Sequence, residues 1–276
     1  MERMNLKEKL IRYIIVIFFA VIWIIPLYMA VITPFKSIKE IFRTVLALPQ
    51  AWKLDSFLKV FQEVDIWHYL KNSFVITGGS VVILGILSSL ATYAMVRSGS
   101  RLIKGSYLLF SLGLMIPTQS GMIALFNTMQ SLHLYNTTAG MVLAYVGCSL
   151  PVSVFLYYGF LKSIPYEIIE SSYIDGCSEW KIYTKMILPL STSAFGTVVI
   201  YNAVNIWKDF TYPLLFTQGE KIKTLPIAIY AMKGQYVSDY PTMFAGILIA
   251  TLPLLMIYIA LQKQFIAGVT AGAVKG

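Results

Sequence analysis

Six long apolar stretches constrain the fold of this chain more than any other feature. Each one approaches the ~20 residues that an α-helix needs to cross ~30 Å of hydrocarbon. Apolar runs of this length are too long for the core of a soluble protein. The sequence therefore predicts an all-α polytopic membrane protein, built as a single transmembrane domain over residues 1–276. The predicted spans are 13–33, 74–96, 106–126, 139–161, 187–207 and 243–261.

Composition supports the membrane interpretation and argues against a nucleic-acid partner. Hydrophobic residues make up 57% of the chain and charged residues 13%, with a formal net charge of +9. The basic residues are scattered among loops, and no basic helix face or aromatic binding sheet is evident. An excess of Lys and Arg is instead what anionic lipid headgroups attract. We therefore expect membrane lipid as a partner, and no nucleic acid.

Basic residues near the span ends predict the orientation in the membrane. They concentrate before the first span, in the short loop after the second, and around a polar segment at residues 164–190. Because cytoplasmic flanks carry excess Lys and Arg, we expect these segments and both termini to be cytosolic. The long loop 34–72 is then on the outside, although it also holds basic residues. Helical spacing of Phe57, Val60 and Phe61 predicts short surface helices in it.

The polar segment at residues 164–190 is predicted to form a helix–turn–helix between two apolar spans. Ser163 is placed to cap its first helix. Gly176 supplies a left-handed stop, and Ser178 can cap a second short helix. Pro189 marks the start of the next buried segment.

The first helix of this segment has a clear apolar face. Tyr166, Ile169 and Tyr173 fall at i, i+3 and i+7 and form one apolar stripe. Glu167 and Glu170 lie near the positive end of the helix dipole, where acidic side chains are favourable. The segment either docks a partner in water or lies on the membrane surface as an amphipathic connector.

Motifs for catalysis and metal binding are missing from the sequence. No phosphate-cradling GxxxxGK[ST] is present, so we do not expect ATP to bind here by that route. No GxSxG elbow and no zinc-type cysteine spacing occur. His68 and His133 fall in predicted outer loops, where an ordinary surface role is expected. We expect no enzyme activity, no metal and no cofactor in this chain.

Polar residues around the fifth span are the candidates for a solute path. Asn202, Asn205 and Asp209 recur at i, i+3 and i+7, so they share one helix face and are expected to avoid lipid. They either line a hydrated pathway for a hydroxyl-rich solute, form a polar seam between helices, or simply lie at the membrane boundary. Tyr145, Tyr157 and Tyr158 are further candidates, because tyrosine rings can stack on sugars, although membrane tyrosines are more commonly interfacial or structural.

Two prolines are expected to break spans. Pro117 interrupts the third span and Pro151 the fourth. A kink frees backbone carbonyls that only protein or water can satisfy, so we expect both positions to face the interior of the helix bundle.

The polar segment resembles the coupling loop, or EAA loop, of permease subunits of bacterial ATP-binding-cassette (ABC) importers. Glu170, Ser171 and Ser172 occupy the E-A-A triplet, with serines in place of the two alanines. Asp175-Gly176 follows, and Ile187-Leu188-Pro189 closes the pattern. The resemblance implies the type I ABC importer permease fold, with six transmembrane helices and a cytosolic helix–turn–helix that couples to an ATPase. The coupling residues that it implies are Glu167, Glu170, Ser171, Ser172, Asp175, Gly176 and Pro189.

Other motifs resemble the oligosaccharide branch of these permeases. They are Leu70-Lys-Asn-Ser73, Met115-Ile-Pro117 and the stretch from Gly159 to Pro165. The closing segment, from Gly268 to Gly276, is similar to the tail of the smaller six-span maltose-type permease subunit, which reaches between the ATPase subunits. A frayed Gly/Ala tail is the alternative. The second ATPase contact so implied consists of Thr270, Gly272, Lys275 and Gly276.

The resemblance also implies partners and a mechanism of alternating access. A second permease subunit would complete a heterodimeric path, and two nucleotide-binding ATPase subunits would bind ATP and Mg²⁺. An extracellular solute-binding protein would deliver a di- or oligosaccharide at the bacterial cell membrane. Another cargo, such as a polyol or a glycerol phosphate ester, stays open at this point. An ion-coupled secondary carrier and a membrane scaffold are alternatives of other classes.

Overall fold

The computed structural model describes residues 6–98, 100–232 and 239–273, and every regular element in those ranges is a helix. The predicted all-α fold is confirmed. Backbone contacts divide the chain into two compact units. Unit one is Met1–Ile66 with Ala228–Thr251, and unit two is Trp67–Ile227 with Leu252–Gly276. The single transmembrane domain over residues 1–276 stays a prediction.

Within the described residues, four helices are long and apolar enough to cross a membrane, and up to six spans result if two bent helix pairs each count as one. The four are α1 (Leu6–Ile32), α4 (Ile66–Arg97), α7 (Thr138–Leu161) and α14 (Tyr240–Ala273). The other helices are α2 (Ile38–Arg43), α3 (Asp55–Glu63), α5 (Arg101–Gly113), α6 (Met122–Ser131), α8 (Tyr166–Ile174), α9 (Glu179–Ile182), α10 (Leu188–Leu190), α11 (Thr192–Trp207), α12 (Thr211–Phe216) and α13 (Leu225–Ala231).

Unit one combines an apolar helix with a folded polar loop. α1 exposes its apolar side chains along its length, as a helix surrounded by lipid does. Beyond it, Ser37 and Glu40 form a capping box that starts α2. The buried Lys36 ammonium donates hydrogen bonds to the carbonyls of Thr44 and Val45, at 3.2 and 2.7 Å. These bonds hold the chain that follows α2 against the end of α1.

The short helices predicted within residues 34–72 are present as α2 and α3. Val60 of α3 is fully buried, whereas Phe61 is 48% exposed. The Glu40 carboxylate accepts the backbone N–H groups of Ser37 and Gln50, and these hydrogen bonds hold the pKa of Glu40 at about 2. The placement of this loop outside the membrane stays a prediction.

The core of unit two forms where α7 packs against α5 and α11. Met141, Val154 and Tyr157 of α7 are fully buried. α4 also lies close to α11, because a Cβ added at Gly85 would lie 2.6 Å from the ring of Phe195. A helix position without a side chain permits this approach, as small residues do at helix contacts in membranes.

The third predicted span, 106–126, is not one continuous helix. α5 ends at Gly113, and the chain resumes after Pro117 with a 3₁₀ turn and α6, bent by 95° from α5. Proline lacks an N–H and clashes with a preceding helical turn, so Pro117 breaks the helix as predicted. Pro151 behaves differently, because α7 continues through it. Its ring lies against α5, 3.3 Å from a Cβ built on Gly113.

The fifth predicted span, 187–207, is also divided. A π-helical turn at Tyr183–Ile187 and α10 precede α11, and the two parts meet at a bend of 70°. Ser191 lies at the bend and is fully buried, where its Oγ hydrogen-bonds the phenol of Tyr157 at 2.7 Å. The apolar pattern indicates the length of the span, whereas this contact between distant residues at the bend is visible only in the tertiary structure.

The loop before α13 is fastened to the first turns of α4. Asn72 donates to the carbonyls of Lys221 and Lys223, at 3.1 and 2.9 Å. The phenol of Tyr69 donates to the Glu220 carboxylate, which also pairs with the Lys223 ammonium at 2.7 Å. α4 accordingly begins at Ile66, earlier than the apolar pattern predicts.

Candidate functional site: a helix–turn–helix segment and a polar cavity

The helix–turn–helix segment (residues 164–190) has a well-defined turn. Gly176 adopts φ +73°, as predicted for a left-handed stop. Its N–H donates to the carbonyl of Tyr173 at 2.9 Å, and the N–H of Cys177 donates to that of Ser172 at 3.0 Å. This pair of bonds is the Schellman arrangement that closes a helix C-terminus. The turn between α8 and α9 is therefore rigid.

The caps of the two helices differ from one another. Ser178 accepts a hydrogen bond from the backbone N–H of Lys181, so the predicted cap of α9 is confirmed. The predicted cap by Ser163 is wrong, because α8 begins only at Tyr166 with Pro165 at its N-cap. The hydroxyl of Ser163 donates instead to the carbonyl of Phe160, at 2.6 Å. Two extra residues before the helix put Ser163 out of reach of its first N–H groups.

One face of the segment packs inward. Ile169 of α8 is 5% exposed, and Ile182 and Ile187 are 0% and 1% exposed. Tyr173 packs partly buried beside them, as its place in the predicted stripe requires. Ser172 is buried, and its hydroxyl donates a hydrogen bond to the carbonyl of Ile168. This position of the E-A-A triplet therefore has a packing role.

The opposite face of the segment is exposed. The remaining predicted coupling residues are all exposed, namely Glu167, Glu170, Ser171, Asp175, Gly176 and Pro189. Two apolar side chains that the sequence did not single out lie there as well. Ile174 is 86% exposed and Trp180 is 67% exposed, at the ends of the helices that flank the turn. Because Tyr166, Ile169 and Tyr173 occupy the apolar stripe, the position of Ile174 off that stripe was an available signal.

A polar cavity of about 490 Å³ lies in unit two beside the end of α11. Asn205 and Asp209, two of the predicted pathway residues, line it together with Tyr145. The phenol of Tyr145 donates to Oδ2 of Asp209 at 2.8 Å. The volume is within the range of small-molecule sites, roughly 300–1,000 Å³. Its other lining residues are Thr118, Cys148, Ser149, Ile206, Lys208, Phe210, Thr211 and Tyr212.

Two further pathway candidates, Asn202 and Tyr157, lie in the packed interior, and a third, Tyr158, stacks on the ring of Tyr107. Asn202 is 1% exposed, and its amide donates to Ser153 Oγ at 2.9 Å and to the carbonyl of Val198 at 2.8 Å. Tyr157 is fully buried on Ser191. The structure thus separates the three residues that helical spacing had grouped together: of Asn202, Asn205 and Asp209, the last two line the cavity and Asn202 does not.

The predicted tail contact is described in part. Thr270 and Gly272 belong to the last turns of α14, whereas Lys275 and Gly276 lie outside the described residues. Within the residues that the structure describes, no three His, Cys, Asp or Glu side chains come together as metal ligands.

Burial raises the pKa of Tyr173, which lies on α8 outside the membrane-spanning helices. Its phenol oxygen accepts a hydrogen bond from Arg97 Nε at 3.3 Å. This contact joins the helix–turn–helix segment to the last residue of α4.

Long apolar helices, a folded helix–turn–helix segment between two of them and a polar cavity are together the parts of a transport permease. The comparison with known families agrees. Residues 81–270 match the family described as "Binding-protein-dependent transport system inner membrane component". The chain belongs to this family, and it is accordingly a multi-pass membrane component of a transporter rather than an enzyme.

Two relatives are similar over nearly all of this chain. The "Probable starch degradation products transport system permease protein" of Thermoanaerobacterium thermosulfurigenes is 32% identical over 275 residues, covering 100% of both chains. The "Melibiose/raffinose/stachyose import permease protein" of Bacillus subtilis is 32% identical over 253 residues, covering 91% of each chain. Both are named as permeases.

Solved structures show the same fold. A chain of a bacterial ABC transporter that imports the acidic polysaccharide alginate matches with a TM-score of 0.84 at 18% identity, covering 96% of this chain and 99% of the other. In a complex of a bacterial alginate ABC transporter with a pentasaccharide-bound periplasmic protein, a chain matches with a TM-score of 0.72 at 16% identity, covering 92% and 93%. This chain therefore has the type I ABC importer permease fold.

Proposed function

We propose that this chain is a permease subunit of an ATP-driven importer for a di- or oligosaccharide. It pairs with a second permease subunit of different sequence and couples to two nucleotide-binding ATPase subunits, where ATP and Mg²⁺ bind. An extracellular solute-binding protein delivers the sugar. The membership of a binding-protein-dependent family supports this assembly, and the sugar cargo is supported by the names of the two relatives.

The exposed face of the helix–turn–helix segment is the observation that carries the proposal. Ile174, 86% exposed, and Trp180, 67% exposed, stand on a turn that Gly176 holds rigid. Large apolar side chains that are exposed on a folded helix–turn–helix are typical of a surface that contacts another protein. The neighbouring acids Glu167 and Glu170 give the same face a polar rim. This surface is the ATPase contact in our proposal.

The orientation follows from the charges at the helix ends. Arg97, Arg101 and Lys104 surround the connection between α4 and α5. This density of basic residues supports a cytosolic location for that connection, for the helix–turn–helix segment and for both termini. The segments that follow α1 and α11 then lie outside the bacterial cell membrane, where a solute-binding protein can dock. The second ATPase contact at Thr270 to Gly276 is part of the same proposal.

The polar cavity is the proposed path for the sugar. A carboxylate at Asp209, an amide at Asn205 and aromatic rings at Tyr145 and Phe210 line it. Carboxylates and amides accept or donate hydrogen bonds to hydroxyl groups, and aromatic faces can pack on the apolar faces of sugar rings. This lining suits a hydroxyl-rich solute without a strong charge.

The test compares assembly and transport in one preparation. A tagged chain is purified with its partners from native membranes and reconstituted in proteoliposomes with the sugar-loaded binding protein. We expect ATP hydrolysis and uptake of labelled oligosaccharide to depend on each other. Ile174→Asp should release the ATPase subunits and abolish uptake, whereas the control Ile174→Leu should retain both. The test solutes also include glycerol 3-phosphate and a polyol, which represent the alternative cargoes.

Three results would contradict the proposal. Full ATPase copurification with Ile174→Asp would remove the docking role of the exposed face. If only the polyol or the phosphate ester stimulates ATP hydrolysis, the assignment of a sugar as the cargo is wrong. Uptake by the purified chain in vesicles without an ATPase would instead show an ion-coupled carrier.

A further inference from the structure

Three residues along one face of α4 point to the helix–turn–helix segment. Ser89, Tyr93 and Arg97 occur at i, i+4 and i+8, and this spacing puts them on successive turns of the same face. Each of them has a polar group that can make a directed bond: a hydroxyl, a phenol and a guanidinium.

Each residue meets a partner in the helix–turn–helix segment. Ser89 Oγ lies 2.6 Å from the phenol oxygen of Tyr183. The phenol of Tyr93 donates to the Glu179 carboxylate at 2.6 Å. We call the three pairs Ser89–Tyr183, Tyr93–Glu179 and Arg97–Tyr173 the ladder.

The Arg97 rung makes two kinds of contact. Its guanidinium carbon lies 4.4 Å from the centroid of the Tyr173 ring, within the range of a cation–π contact, and its Nε donates to the phenol oxygen at 3.3 Å. The same Nε lies 3.7 Å from the Glu179 carboxylate, so Arg97 also links the second and third rungs.

The three rungs of the ladder differ in burial: Ser89–Tyr183 is buried, Arg97–Tyr173 is partly buried and Tyr93–Glu179 is exposed. Ser89 is 1% exposed and Tyr183 is 5% exposed, and the Arg97 side chain is 15% exposed. Hydrogen bonds gain strength where the local dielectric is low, and those to charged groups are stronger than neutral ones. The Glu179 side chain is 58% exposed, so its rung lies at the edge of the buried part.

The chain path gives the ladder a distinct mechanical place. The backbone joins the helix–turn–helix segment directly to α7 and to α11, but not to α4. α4 therefore follows a displacement of the segment only through side-chain contacts. Apolar contacts are non-directional, whereas hydrogen bonds are restricted in length and angle and keep two elements in register.

We infer that the ladder transmits the displacement of the helix–turn–helix segment to α4, and that Tyr93, Arg97 and Glu179 are positioning residues for transport. The inference rests on the proposed function, since it presupposes that an ATPase moves the segment. It adds a second route into the membrane beside the covalent links to α7 and α11. The expected consequence is that weakening the ladder lowers the uptake per ATP hydrolysed without releasing the ATPase.

The first experiment uses variants that remove single bonds in the reconstituted complex. Tyr93→Phe deletes one hydroxyl, and Glu179→Gln deletes one charge. Coupling mutations of this kind change a coupling free energy enough for a roughly 2- to 30-fold effect. We expect such a fall in uptake per ATP for each variant and a double variant that is no worse than the stronger single one. The control Arg101→Ala removes an exposed cation from the same end of the bundle and should change nothing.

A second readout follows the geometry directly. Spin labels at Ala94 and Lys181, both exposed, report the distance between α4 and α9 in a background with Cys148→Ser and Cys177→Ser. In the otherwise wild-type complex we expect one narrow distance distribution with and without ATP, because both elements move together. The Tyr93→Phe/Glu179→Gln double variant should broaden the distribution when ATP is added.

The outcomes separate the two proposals. Unchanged uptake per ATP in both single variants, or loss of the ATPase subunits from them, would overturn a transmitting role for the ladder. If the wild-type complex itself does not link uptake to ATP, the proposed function fails. In that case the spin-label distances still test the ladder. A distance distribution that stays narrow in the double variant would overturn the transmitting role of the ladder.

Discussion

The phenol of Tyr145 in α7 donates a 2.8 Å hydrogen bond to the carboxylate of Asp209, the second residue after α11. The same carboxylate accepts the backbone N–H groups of Thr211 and Tyr212, at 3.2 and 3.0 Å, and so satisfies the first N–H groups of α12. One side chain thus orients a ring of the polar cavity and starts the next helix.

Asp209→Asn should weaken sugar uptake while leaving the fold intact. Asparagine caps a helix about as well as aspartate, so α12 should still form. The charge-assisted bonds from Tyr145 and from sugar hydroxyls are lost, each worth roughly 1.5–3 kcal/mol. We expect about a tenfold or larger rise in the half-saturating sugar concentration, measured by uptake in proteoliposomes.

Asn202→Ala is the matched control for that change. Asn202 is buried on Ser153, and removing its amide leaves a buried hydroxyl with one partner fewer. We expect a loss of roughly 1–3 kcal/mol in the free energy of unfolding. The half-saturating sugar concentration should stay constant. A change of sugar preference in Asn202→Ala alone would contradict the division between the cavity and the core.

Gly85→Leu should destabilise unit two. The added side chain would meet the ring of Phe195, since even a Cβ would lie 2.6 Å from it. Overpacking of this kind costs roughly 1–3 kcal/mol, measurable as a lower melting temperature in detergent. Gly78→Ala in the same helix is the control, because its Cβ would meet open space. Phe195→Ala should restore part of the loss, and the absence of any rescue would show that another contact is responsible.

Gly176→Pro should uncouple ATP hydrolysis from uptake. Proline is restricted to φ near −65°, so it cannot adopt the φ of +73° found here, and it removes the N–H that bonds Tyr173. The turn between α8 and α9 is then distorted, while the membrane helices are untouched. We expect a roughly 5- to 150-fold fall in uptake per ATP, the size of a typical coupling free energy. Insertion into the membrane should be normal, as for the control Gly105→Ala. Unchanged sugar uptake would count against the coupling role of the helix–turn–helix segment.

Glu220→Gln should remove an acid-sensitive contribution to stability. Hydrogen bonds from Lys223 and Tyr69 hold the pKa of Glu220 below its usual range. A carboxylate with a lowered folded-state pKa stabilises the protein above its unfolded-state pKa, and the gain is lost as the pH falls through the folded-state pKa. The contribution is small, about 0.2–1 kcal/mol, because the side chain is 66% exposed.

Melting temperatures measured between neutral and acidic pH test this prediction. Wild type should be slightly more stable than Glu220→Gln at neutral pH, and the two should converge in acid. Tyr69→Phe, which removes one of the two donors, should lie between them at neutral pH. A difference that persists below the folded-state pKa would mean that Glu220 stabilises the loop by packing rather than by its charge.

Sequence patterns that act over a few residues were sufficient for much of the site. Gly176 and Ser178 were predicted in their roles because a left-handed stop and a helix cap depend on neighbouring backbone groups. The predicted cap by Ser163 was wrong because a cap needs the correct distance from the first helical N–H, and the helix begins later than the pattern suggests. The exposed Ile174 was missed because apolar residues are expected to be buried until a fold shows which face is free.

The amino-acid sequence by itself determined that this chain is helical and membrane-spanning, and it determined where the helix–turn–helix segment lies. Those properties follow from the lengths of apolar runs and from local backbone chemistry. The tertiary structure decided which polar side chains meet. It buried Asn202 and Tyr157, brought Tyr145 to Asp209, and set Arg97 against Tyr173. Such contacts join residues far apart in the chain, and helix packing rather than spacing along one helix controls them.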